Sequence, residues 1–561
     1  MTDQPPPDGA GPRDSVLEKN LQALSSRNQG LVLRLGLPVR SSHVRIGAAG
    51  RDEYCLRRAW RDLGFDPAAA AQALSGLDLS AGKLFVFGIG AGEILPGLLA
   101  QHPGVEITAW ERDPWLLRRF LSRHDVACAL ERGRLQLHLG ADLLDCLPLA
   151  RACPRLAHPL LGLVYRHEQA WIDRGMGPKR ALLCEGELFV DDLAEALVEE
   201  GYTLAGMDTE LLSVEEMSYL VLRFQPSLVA GIDYRQGLAE FCEAHGVGLL
   251  SWEINPTTDR VVPCQGPTSR SGIFTYRKAQ VEEFLQAGFD RVEYLPLAAN
   301  PSRRKALPLS AEDQGRYGAE ISFVGASMQV EARQYRERFL ELYLGESAAD
   351  RGSRSRVVLQ LETVLAEQQN DYSAHRLPEL VRAAFPDLTE RWPSARTREE
   401  PLKLLNEVAA ADKRARYLGA LADLGIHVWG DEGWLRVLPA GCCYRGEAHH
   451  GTELTKVYCA TRINIDVNRL YQMDIVPMRV FDILACGGFL IAERSEALEE
   501  LFAIGSELEA YRTLTELKDK IRFYRSHPQA ARDIGRAGMA KVRESHTIAQ
   551  RVRRMLAVME R

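Results

Sequence analysis

Short apolar runs alternate along this chain with stretches whose apolar positions recur every three to four residues. Leu84 to Phe87, Ile107 to Trp110, Leu135 to Leu139, Ala181 to Cys184, Tyr202 to Gly206, Leu228 to Ile232 and Gly248 to Trp252 read as buried strands, as do Val292 to Leu295, Ile321 to Val324, His427 to Trp429, Ile463 to Val467 and Phe489 to Ala492. Amphipathic helical segments such as Phe189 to Glu200 separate them. Strand and helix in alternation predict an α/β chain built on parallel sheets with crossover helices. No repeat of solenoid or propeller period is present.

Punctuation divides the chain into blocks. Residues 1–15 are acidic, proline-rich and expected to be a disordered tail; 16–155 form one α/β block, 179–315 a second and 316–561 a third. Within the third, residues 329–421 are charged and helix-patterned, which predicts a helical insertion with turns at 351–356 and 392–398.

The length of 561 residues agrees with several folding units, and 46% apolar with 26% charged residues excludes a disordered or fibrous chain. A formal charge of -7 gives no global cationic field, so nucleic acid is not the expected partner. No apolar stretch is long enough to span a membrane, and the start lacks a signal-peptide pattern. Eleven cysteines without any Cys-x-x-Cys pair fit a reducing cytoplasm, the expected location, and suggest no metal site.

In the first block, Phe87-Gly88-Ile89-Gly90-Ala91-Gly92-Glu93 follows a strand and opens a helix. Gly88, Gly90 and Gly92 allow a sharp turn with backbone amides near a ligand, and Glu111, at the end of the next strand, is placed to accept from ribose hydroxyls. This Rossmann-like pattern resembles a class I methyltransferase, which implies S-adenosylmethionine, with Asp142 near the adenine; the same glycines equally serve a tight strand-to-helix turn. Glu18-Lys19-Asn20-Leu21 ahead of it resembles the N-terminal region of motility-associated flagellin glycosylation factors.

The richest segment is Tyr471 to Gly488. A helix starting near Pro477 carries Arg479 and Asp482 on one face, a guanidinium suited to diphosphate and a carboxylate suited to ribose hydroxyls. Val476-Pro477-Met478-Arg479-Val480-Phe481-Asp482 through Cys486-Gly487-Gly488-Phe489-Leu490-Ile491 resembles the donor motif of GT-B glycosyltransferases, in the branch of the CgeB-like spore-maturation proteins. Val457 to Ile465, Ile321 to Ser327, Gly248 to Pro256 and Tyr294 to Ala299 resemble further parts of that branch, in the same order along the chain. The resemblance implies two more Rossmann-like units forming a GT-B enzyme, 179–315 for the acceptor and 316–561 for a nucleotide-diphosphate sugar, without a metal. It implies Asp482 on the donor ribose, Asp474 as the first acid of a paired-acid motif, Arg479 on phosphate, and amides near Gly325 and Ser327 on the diphosphate or sugar. Lys456 and Gly488, in the matched stretches, complete the donor set.

For the acceptor side, relatives carry an Asp after the Ser-Trp segment where this chain has Asn255. Glu253, Asp233 and Glu185, all at strand ends, are the candidate catalytic acids or bases. His449 and His450 either line the cleft or sit in a solvated loop. The basic terminal segment 532–561 reads as helices packing back on the preceding domains. The sequence therefore points to sugar transfer onto a protein, flagellin or a surface glycan. A methyltransferase, or a non-catalytic scaffold of a glycosylation complex, stays open as an alternative.

Overall fold

The computed structural model describes residues 12–39, 43–48, 50–56, 59–65, 67–186, 188–345, 350–392 and 397–560. Residues 1–11 of the expected tail lie outside them, and a helix, Pro12–Ser25, starts directly afterwards. The chain forms two compact units, residues 1–232 with 241–250 and residues 233–240 with 251–561. The division falls inside strand Gly248–Glu253.

In the first unit, parallel strands run in the order Leu135–Leu139, Glu106–Glu111, Lys83–Phe87, Arg155–Ala157. Their apolar faces meet Leu95, Leu117, Phe120 and Leu121 from the crossover helices in one core. Asp113 caps the helix Pro114–Arg123 by accepting from Trp115 N at 2.8 Å. Helix Pro12–Ser25 is tied on by the fully buried Asn20, which donates to Leu121 O and His124 O, both at 2.7 Å. A second parallel set in this unit has the order Leu228–Ile232, Arg180–Cys184, Thr203–Met207. A small antiparallel ribbon, Val44–Ile46, Asp52–Leu56 and Ala59–Asp62, escaped the sequence reading because its strands are too short and too polar for a periodic signal.

The second unit contains the parallel pair Ser271–Thr275 and Val292–Tyr294 and a six-stranded parallel sheet. The sheet runs Cys443–Tyr444, His427–Trp429, Ala319–Val324, Thr461–Ile465, Leu490–Glu493, Glu509–Tyr511. By chain order that is 3-2-1-4-5-6, so the direction in which strands are added reverses between Ala319–Val324 and Thr461–Ile465. Between its first two strands lie helices Gln329–Leu344, Arg351–Asn370, Leu377–Ala384, Leu388–Arg391 and Pro401–Gly419. They share the core of the sheet through Phe339, Leu361, Leu377 and Leu404. The turn expected at 351–356 is instead the first turn of a helix: Asp350 accepts from Ser353 N at 2.8 Å, and Gly352 and Ser353 sit at its N-terminal end. Of the turn expected at 392–398, residues 393–396 lie outside the described ones and Trp392 is in a bend. Terminal helices Pro528–Ser545 and Ile548–Met559 return to the start of the unit, where Arg551 Nε donates to Pro296 O at 2.8 Å.

Candidate functional site

The glycine turn of the first unit is built as expected but filled by the chain itself. Gly88, Gly90 and Gly92 all have positive φ, and a Cβ on Gly90 would lie 2.8 Å from the His158 ring, one on Gly92 2.1 Å from Phe120. Glu111 is 0% exposed; it accepts from Ile89 N at 2.8 Å and Gly90 N at 3.1 Å with one oxygen, and from Arg112 N at 2.8 Å, Asp113 N at 3.1 Å and the Tyr165 hydroxyl with the other. Burial raises its pKa against these hydrogen bonds. Asp142 accepts from Arg34 Nη1 and from the Tyr219 hydroxyl, each at 2.7 Å. The turn amides and both carboxylates assigned to S-adenosylmethionine are thus occupied by protein groups, and the residues present do not fit that cofactor.

Glu185 also belongs to this unit, where its carboxylate accepts from Arg112 Nη1 at 2.5 Å. That guanidinium also lies 3.7 Å from Glu168, so Glu185 belongs to a charge cluster of the first unit.

Asp233 and Glu253, by contrast, come together in the second unit. Glu253 accepts from Ser251 Oγ at 2.7 Å and Tyr234 N at 2.8 Å; Asp233 accepts from Ile254 N at 2.8 Å and Asn255 Nδ2 at 2.5 Å. Asn255 therefore supports Asp233 from the position where the resemblance predicts an Asp. Asp233 has φ of 55°, a left-handed conformation uncommon for a non-glycine residue. Burial, then the neighbouring Asp233 charge, pushes the Glu253 carboxyl up to about 8. Burial raises Asp233 as well. Glu253 therefore holds a proton near neutral pH.

The predicted helix forms as Met478–Ala485 with Pro477 at its N-cap position. Arg479 and Asp482 do not pair with each other, and neither faces bulk water. Arg479 Nε donates to Asp466 Oδ1 at 2.6 Å and its Nη1 to Val324 O at 2.9 Å, joining the ends of strands Ala319–Val324 and Thr461–Ile465 where the sheet order reverses. Asp482, buried, accepts from Arg304 Nε at 3.0 Å; Arg304 also donates to His450 O at 2.7 Å and Thr455 Oγ1 at 3.1 Å. Both side chains expected on the donor are thus engaged in holding the site's framework.

The other residues expected on the donor are similarly placed. The Gly325 amide donates to Trp429 O at 2.9 Å, and a Cβ there would lie 2.8 Å from Arg479 Nη1. Ser327 N donates to Asp431 at 2.6 Å, so neither this amide nor that of Gly325 is available to a diphosphate. Asp474 accepts from Ala279 N at 3.2 Å, Lys456 pairs with Asp313 at 2.7 Å, and Gly488 packs where a Cβ would be 2.9 Å from Asn464. His449 and His450 are exposed.

A residue absent from the sequence reading completes this region. Arg414, on the helix Pro401–Gly419, is 6% exposed. Its Nη1 donates to Ala326 O at 3.0 Å and its Nε reaches Val467 O at 3.4 Å. Burial, then the charges of Arg479 and Arg469, pulls its pKa down to about 9, leaving it charged at neutral pH. Its only sequence signal was a basic residue at a position whose helical neighbours Ala410, Ala411 and Leu418 are apolar and buried.

Residues 408–557, which contain Arg414, Arg469, Arg479 and Asp482, match the model of a family described as glycosyl transferase-like. The comparison with curated proteins gives no match. Solved structures similar to the chain include sucrose-phosphate synthase from Thermosynechococcus elongatus, with 10% identity, a TM-score of 0.39, and coverage of 68% of this chain and 98% of that one. Anabaena HepE in complex with UDP-glucose has 10% identity, a TM-score of 0.35, and coverage of 85% and 99%. The MAf glycosyltransferase from Magnetospirillum magneticum has 13% identity, a TM-score of 0.24, and coverage of 53% and 58%. The matched residues include the second to sixth strands of the sheet in chain order, and Arg479 at its switch point. Among the described residues no group of three His, Cys, Asp or Glu side chains is placed to hold a metal ion, and no helix is long and apolar enough to cross a membrane.

Proposed function

We propose that this protein is a glycosyltransferase using a nucleotide-diphosphate sugar, with GT-B organisation in the CgeB-like branch. The observation that carries the reading is the placement of the matched stretch: it brings Arg414, Arg469 and Arg479 together at the carboxyl ends of a 3-2-1-4-5-6 sheet, with Asp466 paired to Arg479, Glu407 to Arg469 and, among the described residues, no carboxylate paired to Arg414. Ligands of open α/β sheets bind in the crevice at that reversal, and a guanidinium without a counter-ion there suits a diphosphate.

The reaction follows from two sets of groups. The acceptor hydroxyl oxygen bonds to the anomeric carbon as the bond from that carbon to the diphosphate oxygen breaks. The hydroxyl proton passes to Asp233, whose geometry is fixed by Ile254 N and by Asn255 N and Nδ2. Charge growing on the leaving diphosphate is stabilised by the arginines, and no metal enters the scheme. Arg479 and Asp482 act as positioning residues through Asp466 and Arg304. The acceptor is a protein such as flagellin or a surface glycan, modified in the cytoplasm; the resemblance at residues 18–21 supports this. The methyltransferase-like block, its glycine turn closed by Glu111 and His158, serves as a structural domain.

A panel of activated sugars incubated with purified protein tests this. Release of nucleoside diphosphate is expected from at least one donor, and Asp233→Asn is expected to lower kcat about a hundredfold or more with little change in donor KM. Absence of both binding and release across uridine, guanosine, thymidine, cytidine and adenosine donors refutes the reading.

A further inference from the structure

Helix Pro401–Gly419 places two consecutive cations in the interior, and the chain treats them differently. Lys413, fully buried, has its counter-ion: its Nζ donates to Glu493 at 2.6 Å, and Glu493 also accepts from Asn468 N at 3.0 Å. Arg414 has none. Among the described residues no carboxylate lies within ion-pair distance of it, and its contacts are the carbonyl oxygens of Ala326 and Val467 and the Met328 sulfur, at 3.0, 3.4 and 3.3 Å. Its Nη2 makes no hydrogen bond to any of the described residues. A buried guanidinium that lacks a counter-ion costs several kcal/mol unless something anionic meets it.

The surroundings indicate what the anion is. Arg414 and Arg479 both lie against the Phe323 ring, with guanidinium carbons 5.8 and 4.9 Å from its centre; Arg479 donates to the last residue of strand Ala319–Val324 and Arg414 to the loop that follows. Arg479 is neutralised by Asp466 at 2.5 Å and Arg469 faces Glu407 at 3.6 Å, so Arg414 carries the uncompensated charge of the three. The N-terminal turn of helix Met478–Ala485, which bears Arg479, has no side-chain cap. A group with two or more negative charges and several oxygens suits an uncompensated guanidinium better than a single carboxylate, because it can accept from the unbonded Nη2 and still carry charge to spare.

We infer that Arg414, contributed by the last helix of the insertion, is a binding residue for the diphosphate of the nucleotide sugar, meeting it through its unbonded Nη2. This rests on the glycosyltransferase reading and assigns a role within it that the donor motif does not supply. The loop amides of Gly325 and Ser327 are taken, Arg479 is held by Asp466, and the helical insertion thereby becomes part of the donor site instead of an appendage.

Calorimetric titration distinguishes the inference from the reading on which it rests. The preferred nucleoside diphosphate and its parent nucleoside are titrated into the full-length protein, into Arg414→Gln and into Arg414→Lys, with thermal unfolding as a check on folding. Wild-type protein is expected to bind the diphosphate at least tenfold more tightly than the nucleoside. R414Q is expected to lose that difference while keeping nucleoside affinity within about threefold, and R414K to retain part of it, because lysine keeps the charge without the second nitrogen. Wild-type protein that binds no nucleotide defeats the glycosyltransferase reading and this inference with it. Wild-type binding with an unchanged diphosphate preference in R414Q defeats only the role of Arg414. Where R414Q does not fold, R414K decides, an unchanged preference again overturning the inference. If neither folds, the guanidinium is a tie for the loop and the inference is also overturned.

Discussion

Replacing Arg479 by glutamine tests the structural argument most directly. Asp466 is 1% exposed and its Oδ1 receives both Nε and Nη2 of Arg479, at 2.6 and 2.5 Å. Arg479 is itself mostly buried and also donates to Val324 O. A neutral, shorter glutamine side chain cannot serve both strand ends or supply the charge, so Asp466 would be left as a buried, uncompensated carboxylate. Breaking such a pair from one side costs about 3–5 kcal/mol. Because the chain has two compact units, a single global unfolding energy is the wrong measure. Hydrogen exchange of peptides covering strands Ala319–Val324 and Thr461–Ile465 reads the local cost, and the expected loss is an acceleration of roughly two to nearly four powers of ten at pH 7. The double variant Asp466→Asn with Arg479→Gln should recover a substantial part, since no charge is then stranded. Exchange of the single variant within about tenfold of wild type, or a double variant as fast as the sum of the singles, would refute the claim that this ion pair joins the two strand ends.

Two further outcomes are expected. Because Glu253 is raised to about 8 in the folded protein, the native state holds a proton that the unfolded chain releases near the ordinary glutamate pKa. Between about pH 5 and 8 the native state thus binds more protons than the unfolded one, so stability of the second unit falls as pH rises. Asp233, raised too, adds to the same trend. Glu253→Gln should flatten that profile in pH-dependent thermal melts; an unaltered slope would contradict a protonated, buried Glu253. S-adenosylmethionine at millimolar concentration should leave the melting temperature of the protein unchanged, because Glu111 and His158 occupy the turn; a dose-dependent rise would show that the turn opens.

The α/β class, nearly every buried strand, the helix beginning at Pro477 and the helical insertion were legible in the chain, because periodicity reports which face of an element is buried. Asp233 and Glu253 were legible as strand-end carboxylates, since open sheets gather chemistry there. Partnership was a different matter. Sequence spacing put Arg479 and Asp482 on one helical face, yet each turns to a residue distant in the chain, Asp466 and Arg304, and Glu185 turns to Arg112. The same holds for Glu111, whose carboxylate suits a ribose by position but meets its own turn amides in the fold. Arg414 shows the converse: nothing along the helix marks it out from Lys413, and only the packing gives one of them a counter-ion. Local pattern determines which elements form and which residues lie inside; whether a buried charge is already neutralised or still awaits an anion depends on groups far away in sequence, and tertiary structure alone decides it.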